Sequence, residues 1–114
     1  MSPRRNRFEI WSEVLEACLQ DSKTQSYLIR KVGVKTSTMK DALEVLEESG
    51  LIEKVENPEA GLNYEFGTTV KGENALLQYY KLVTEYFTTG EKEHTKEMLG
   101  LLRFITRKKR GLSS

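Results

Sequence analysis

The sequence is poor in the residues that cross-link small proteins and in those that most often bind metals. Its 114 residues include one cysteine, Cys18, and one histidine, His94. A single cysteine excludes an internal disulfide and a cysteine-based zinc site, and it fits a protein of the reducing cytosol. We therefore expect a cytoplasmic protein.

Long apolar runs are also absent. No stretch approaches the roughly 18 apolar residues that a membrane-spanning helix needs. The opening residues, MSPRRNRFE, contain three arginines, but no apolar segment of a secretion signal follows them. The sequence predicts neither a secretion signal nor a membrane partner.

Patterns typical of enzymes are missing as well. Cys18 falls on the apolar stripe of a predicted helix, which is typical of a core residue. Glu91, His94 and Glu97 share a helical face, but one imidazole and two exposed carboxylates make a poor metal site. We find no glycine-rich phosphate loop after a strand and no motif that pairs a nucleophile with a base. The protein is predicted not to be an enzyme, with no catalytic residues, no metal and no cofactor.

The net charge is only +1, but the charges are unevenly distributed. Residues 22–40 contain five basic residues and no acid, whereas residues 41–65 contain eight acids and one lysine. Both ends are basic, with arginines within residues 4–7 and the sequence RKKR at residues 107–110. This asymmetry predicts a positive face on a nearly neutral protein.

Apolar periodicity predicts three helices in the first half of the chain. The first covers residues 7–19, with an apolar stripe of Phe8, Trp11, Val14, Leu15, Cys18 and Leu19. The second covers residues 25–32, with Thr24 as its N-cap and Gly33 as a left-handed C-cap. Its predicted buried residues are Leu28, Ile29 and Val32. The third begins near residues 36–38, and its inward row consists of Met39, Ala42, Leu43 and Leu46.

Two strands and two more helices are predicted to follow. The strands, residues 51–56 and 62–69, flank the turn sequence NPEAG. One face of the second strand is expected to carry Leu62, Tyr64 and Phe66. A fourth helix of about residues 70–88, capped by Thr69, precedes a fifth of about residues 91–108. This order predicts a winged helix, a mainly α fold with a small β-hairpin (α+β).

The residues also resemble a known family. The segments RRNRFEIWSEVLEACL, LEVLEESGLIEK and NYEFGTTVKGENALLQYY are similar to an archaeal winged helix-turn-helix family of small DNA-binding, chromatin-type and regulator-like proteins. The resemblance covers roughly residues 4–87, and a specific part of it is the Thr-x-Lys-Gly sequence of residues 69–72. Members of this family typically dimerise through helices C-terminal to the wing. The resemblance therefore implies DNA binding and a homodimer.

The third predicted helix begins without acids and ends with them, the reverse of what the helix dipole favours. In helix-turn-helix proteins the N-terminal residues of this helix reach base edges in the major groove, where hydroxyl side chains contact several bases. The alternative is that the hydroxyl residues only cap the helix and the glutamates form a solvated face. The predicted DNA contacts from this region are Lys35, Thr36, Ser37, Thr38, Lys40 and Asp41.

Other basic and polar residues are candidates for phosphate contacts, although ordinary surface residues have the same composition. Those on and before the second helix are Lys23, Thr24, Gln25, Arg30 and Lys31. Those at the N-terminus, in a groove-binding arm or a disordered leader, are Arg4, Arg5 and Arg7. Each phosphate neutralised releases counterions, so affinity should fall with salt.

The predicted wing is acidic. It contains one lysine and four glutamates: Glu53, Glu56, Glu59 and Glu65. A wing that enters a minor groove normally brings Arg or Lys into its negative potential. We predict that this wing does not grip DNA and faces a protein partner instead.

The fourth predicted helix is apolar over more than the roughly 100° stripe that packing on one domain requires. The surplus predicts a second buried surface, in a homodimer or under a fifth helix that folds back. The predicted dimer residues are Leu76, Tyr79, Tyr80, Val83, Tyr86, Phe87, Met98, Leu101, Leu102 and Ile105.

The sequence thus predicts a basic arm at 1–6, a winged helix-turn-helix DNA-binding domain at 7–69, C-terminal dimerisation helices at 70–108 and a basic, flexible tail at 109–114. The predicted function is that of a dimeric protein that binds double-stranded DNA in the cytoplasm or nucleoid, as a transcription regulator or a DNA-organising protein. The alternative is a winged-helix adaptor for protein interactions, which the near-neutral charge and the acidic wing favour.

Overall fold

The computed structural model describes residues 6–56, 64–86 and 96–102. It contains helices and strands in the order α1 (Arg7–Ala17), β1 (Lys23–Thr24), α2 (Gln25–Val32), α3 (Thr36–Glu48), β2 (Ile52–Glu56), β3 (Tyr64–Thr68) and α4 (Val70–Tyr86). Residues 96–102 are also helical. The fold is a winged helix, as predicted, and none of the helices described here is long and apolar enough to cross a membrane. The chain divides into two compact units, Met1–Gly72 and Glu73–Ser114.

Helix α1 begins at an Asn6 cap, whose side-chain oxygen accepts a hydrogen bond from the Glu9 N–H at 2.8 Å. Four members of the predicted stripe are buried: Val14 and Leu15 in α1, and Cys18 and Leu19 directly after it. The prediction for Phe8 is wrong, because this side chain is 63% exposed. Phe8 lies in the first turn and packs edge-on against Trp11, with 5.4 Å between ring centroids, outside the buried row.

Helix α2 agrees with the sequence prediction in its caps, and α3 agrees with it in its buried row. The Thr24 hydroxyl accepts a hydrogen bond from the Tyr27 N–H at 3.1 Å and caps α2. Gly33 ends α2 with φ of 77°, a left-handed conformation that costs glycine little. Leu28 and Val32 of α2 are buried as predicted, whereas Ile29 is only half-buried. The predicted inward row of α3 is buried in full: Met39, Ala42, Leu43 and Leu46.

The sheet has three antiparallel strands in the order β1-β3-β2, one more than predicted. The additional strand, β1, pairs Lys23 with Phe66 across the sheet. Phe66 is buried as expected, but Tyr64 on the same face is 51% exposed, so the predicted apolar face reaches the core only at one end. Leu62 lies outside the described residues.

The end of α3 is joined to the beginning of α4. Gly50, with φ of 76°, follows α3, and the Leu51 N–H donates to the Leu46 carbonyl at 2.9 Å in a Schellman arrangement. The carbonyls of three consecutive residues accept hydrogen bonds from the Thr-x-Lys-Gly segment. Lys71 Nζ donates to Ser49 at 2.8 Å, the Thr69 hydroxyl to Gly50 at 2.6 Å and the Thr69 N–H to Leu51 at 3.0 Å.

The same segment starts α4 as predicted, because the Thr69 hydroxyl accepts a hydrogen bond from the Gly72 N–H at 3.1 Å. A Cβ atom on Gly72 would lie 2.1 Å from the Leu51 carbonyl oxygen, so only glycine fits. The specific part of the family resemblance is therefore a structural joint within the unit Met1–Gly72.

In the second unit, α4 buries Glu73, Leu76 and Tyr80. Residues 96–102 are helical as predicted, and Leu99 and Leu102 are buried. The rest of the predicted fifth helix lies outside the described residues.

Candidate nucleic-acid interface

The two helices of the helix-turn-helix use one side for the core and leave the other accessible. Leu28 and Val32 of α2 and the row that begins at Met39 of α3 are buried. The buried residues of α3 recur at helical spacing and so lie on one side of the helix. Its exposed side chains therefore lie on the opposite side and on the flanks. The turn between the helices is short, since α2 ends at Gly33 and α3 is capped by Lys35.

The start of α3 has hydroxyl groups that take no part in the described hydrogen bonds of the fold. The N-cap is Lys35, and no side-chain hydrogen bond caps the helix. Thr36 and Ser37 are exposed and Thr38 is half-buried, and none of the three hydroxyls bonds to another described residue. The first helical backbone bond runs from the Met39 N–H to the Lys35 carbonyl. The preceding N–H groups are thus free to bind an anion, and the capping alternative does not explain these residues.

The predicted basic residues of α2 and of the start of α3 are accessible. Arg30, Lys31, Lys35 and Lys40 are exposed, as is Asp41. These five side chains flank the turn and the first half of α3.

Three further predicted contacts stand at the start of α2. Lys23 lies on β1 with its Nζ 5.0 Å from the centroid of the Tyr27 ring. Thr24 uses its oxygen as the α2 cap, which leaves its O–H proton free to donate. Gln25 is half-buried. Arg7 is exposed, whereas Arg4 and Arg5 lie outside the described residues.

The acidic end of α3 is compensated from elsewhere in the chain. The last turn contains no basic residue. The Lys71 ammonium supplies the missing positive charge. Its hydrogen bond to the Ser49 carbonyl places it at the negative, C-terminal end of the α3 dipole. Sequence inspection missed this role, since Lys71 stands 22 residues away.

The described part of the wing is acidic on its surface. Glu53 and Glu56 of β2 are exposed. Glu65 has a structural contact, because its Oε1 accepts a hydrogen bond from the Ser22 hydroxyl at 2.5 Å. Lys54 lies with its Nζ 5.5 Å from the centroid of the exposed Tyr64 ring. Glu59 is outside the described residues.

The predicted dimer residues are not equally accessible in a single chain. Leu76, Tyr80 and Leu102 are already buried and have little surface to offer a partner. Four others are half-buried: Tyr79, Val83, Met98 and Leu101. The remaining three lie outside what the structure describes of side chains: Tyr86, Phe87 and Ile105. Leu82 of α4, which is not among the predicted residues, is 49% exposed.

The residues considered for catalysis give no reactive arrangement in the described part of the chain. Cys18 is buried, and burial raises the pKa of its thiol to about 12, an effect that Lys23 partly offsets. The described residues contain no group of three or more His, Cys, Asp and Glu side chains that could hold a metal ion. His94 lies outside them.

Solved structures of similar fold are transcription regulators. A transcriptional regulator, BldR from Sulfolobus solfataricus, is 23% identical with a TM-score of 0.62, over 87% of this chain and 73% of that chain. Reduced MarR from E. coli is 21% identical with a TM-score of 0.61, over 90% and 74%. MepR from S. aureus, solved as a DNA complex, is 21% identical with a TM-score of 0.58, over 91% and 79%. At these identities the likeness shows a shared fold.

A comparison with curated protein sequences gives no match. A family model described as winged helix-turn-helix matches residues 4–87, which include every element from α1 to α4. By this match, the chain belongs to the winged helix-turn-helix family.

Proposed function

We propose that the protein binds double-stranded DNA as a homodimer and acts as a transcription regulator or a DNA-organising protein. In this proposal the start of α3 lies in the major groove. Helix α2, the residues before it and the basic termini hold phosphates, and the helices that follow the wing join the two subunits.

One observation carries the proposal. The first half of α3 presents unbonded hydroxyls, free backbone N–H groups and two exposed lysines, Lys35 and Lys40. Together these groups bind phosphate and base edges. They stand on the second helix of a helix-turn-helix, which is the element that reads the major groove in proteins of this kind.

The similar solved structures support the same function. MepR, which has this fold, was solved with DNA, and BldR is described as a transcriptional regulator. A protein that binds DNA acts where the DNA is, so we place the protein in the cytoplasm, at the nucleoid.

The proposed dimer uses the accessible flank of α4 together with the C-terminal helix. Ala75, Tyr79 and Leu82 follow one another in steps of four and three residues, the spacing of a helix–helix seam. Ala75 and Tyr79 are half-buried and Leu82 is exposed. The proposed division is therefore an arm at 1–6, a DNA-binding domain at 7–69, dimerisation helices at 70–108 and a tail at 109–114.

The experiment that tests DNA binding is a titration of mixed-sequence duplex at several salt concentrations. We expect log K to fall linearly with log salt, with a slope of about −4 or steeper if at least four phosphates are neutralised. Arg30→Glu should weaken binding and flatten this slope by about one for each phosphate that is no longer neutralised. Lys40→Ala should weaken binding to a smaller degree.

Lys54→Glu is the matched control, since it places a glutamate at a basic position on the exposed wing. If the wing does not grip DNA, this variant should bind nearly as well as the original protein. Absence of binding at low salt, or equal losses for Arg30→Glu and Lys54→Glu, would contradict the proposed interface.

The acidic surface of β2 favours a second candidate, a winged-helix adaptor that binds a protein through the wing. Glu53 and Glu56 are exposed there and would bind a basic partner. If the protein is an adaptor, Arg30→Glu and Lys40→Ala should leave the binding of its protein partner intact. Neither substitution should then change a property that depends on nucleic acid. The DNA titration therefore separates the two candidates.

A further inference from the structure

The outward side of α3 has a line of exposed polar side chains opposite its buried row. Spacings of four, three and four residues align these side chains along the helix: Ser37, Asp41, Glu44 and Glu48. Glu44 and Glu48 lie in the second half of the helix, beyond the part proposed to enter the groove. Asp41 lies nearer the start, one turn after Ser37, and is the first acid of α3.

The part of the fold that the structure describes gives no reason for a carboxylate at position 41. Asp41 is exposed, and it forms no hydrogen bond or ion pair with another described residue. It does not cap the helix, because the cap is Lys35. It also lies beyond the first turn, where the helix dipole no longer favours an acid appreciably.

The chemistry of the major groove restricts what such a carboxylate can contact. An ionised carboxylate only accepts hydrogen bonds, and the bases offer donors there at two places, cytosine N4 and adenine N6. Guanine presents N7 and O6 and thymine presents O4, all of which are acceptors that repel a carboxylate. Adenine N6 has acceptors on both sides, its own N7 and the thymine O4. Cytosine N4 has an acceptor on one side, the guanine O6.

We propose that Asp41 is a specificity-determining residue that selects a cytosine in each half-site by accepting a hydrogen bond from its N4 amino group. This inference rests on the proposed function, since it requires α3 to lie in the major groove. The carboxylate is repelled by phosphates whatever the sequence, so it lowers affinity for every duplex except where a cytosine compensates. Lys35 and Lys40, which precede it in the chain and are exposed, supply the attraction that keeps such a site bound.

The test is a selection of bound duplexes from a randomised pool, followed by titration of single sites. The original protein should select cytosine at one position of each half-site. Asp41→Asn should change the selected base to adenine, because an asparagine side chain pairs with adenine N6 and N7. The preference for cytosine over adenine should change by about tenfold or more, within the range of a good base contact. Asp41 is exposed, so the variant keeps its fold.

Glu48→Gln is the control, since it removes an exposed carboxylate from the same line in the last turn of α3. This variant should select the same bases as the original protein. If Asp41→Asn binds DNA but selects the same bases as before, the inference is wrong and the proposed function stands. An equal gain of affinity by both variants on all sequences would also overturn it. If the original protein binds no duplex, both proposals fall.

Discussion

Cys18 is chemically protected by its position at the end of α1. Its side chain is 2% exposed, and burial raises the pKa of the thiol to about 12. Because the thiolate is the reactive form, we expect iodoacetamide at pH 8 to leave the folded protein unmodified and to alkylate it fully in guanidinium chloride. Mass spectrometry measures both. Full alkylation without denaturant would show that Cys18 is accessible, contrary to the structure.

Residue positions that depend on local periodicity could be predicted from the sequence. The buried row of α3 and the burial of Cys18 follow from a repeat of three and four residues. Phe8 has the same spacing but is exposed. Periodicity shows which face of a helix is apolar, but it does not show how much of that face other residues cover. The N-cap of α3 could not be predicted either, because Lys35 has no side chain that caps a helix and three hydroxyl residues follow it.

The joint between α3 and α4 leads to a prediction at the scale of elements. A Cβ on Gly72 would lie 2.1 Å from the Leu51 carbonyl oxygen, so Gly72→Ala must displace one of two hydrogen-bonded segments. We expect the free energy of unfolding, measured with urea, to fall by about 3 kcal/mol.

Gly100 is a suitable control for this substitution, since it is helical and exposed, and a Cβ atom added there would meet only open space. Gly100→Ala should raise the free energy of unfolding by about 0.5–1 kcal/mol, because alanine loses less backbone entropy in a helix. Similar effects of the two substitutions would mean that the close approach of Gly72 to Leu51 does not exist in solution.

Elements with local signals were predicted, and those that depend on distant partners were not. Gly33 and Gly50 mark helix ends through their own conformation, and Thr69 caps α4 within one turn. Strand β1 has two residues, too few to show the alternation of a strand. Its partner β3 follows in the sequence only after α2, α3 and β2. The role of Lys71 likewise depends on a carbonyl 22 residues earlier.

At the scale of the whole molecule, the proposed dimer is the main prediction. We expect sedimentation to give twice the chain mass, and Leu82→Glu to weaken the dimer at least tenfold, the order of effect of an interface hot spot. Leu82 is 49% exposed on the proposed seam. Val70→Glu provides the control, since Val70 is 56% exposed on α4 but lies away from that seam. Equal dissociation of both variants, or a monomeric original protein, would contradict the proposed seam.

The strand order β1-β3-β2 also limits how copies of this protein can associate. The central strand, β3, has both edges paired, and the outer strands are poor templates for adding another strand. Strand β1 has two residues and leads directly into α2, and β2 exposes charged side chains at Glu53, Lys54 and Glu56. Short and charged edges prevent sheets from joining edge to edge. The described sheet is thereby guarded against continuous β-aggregation.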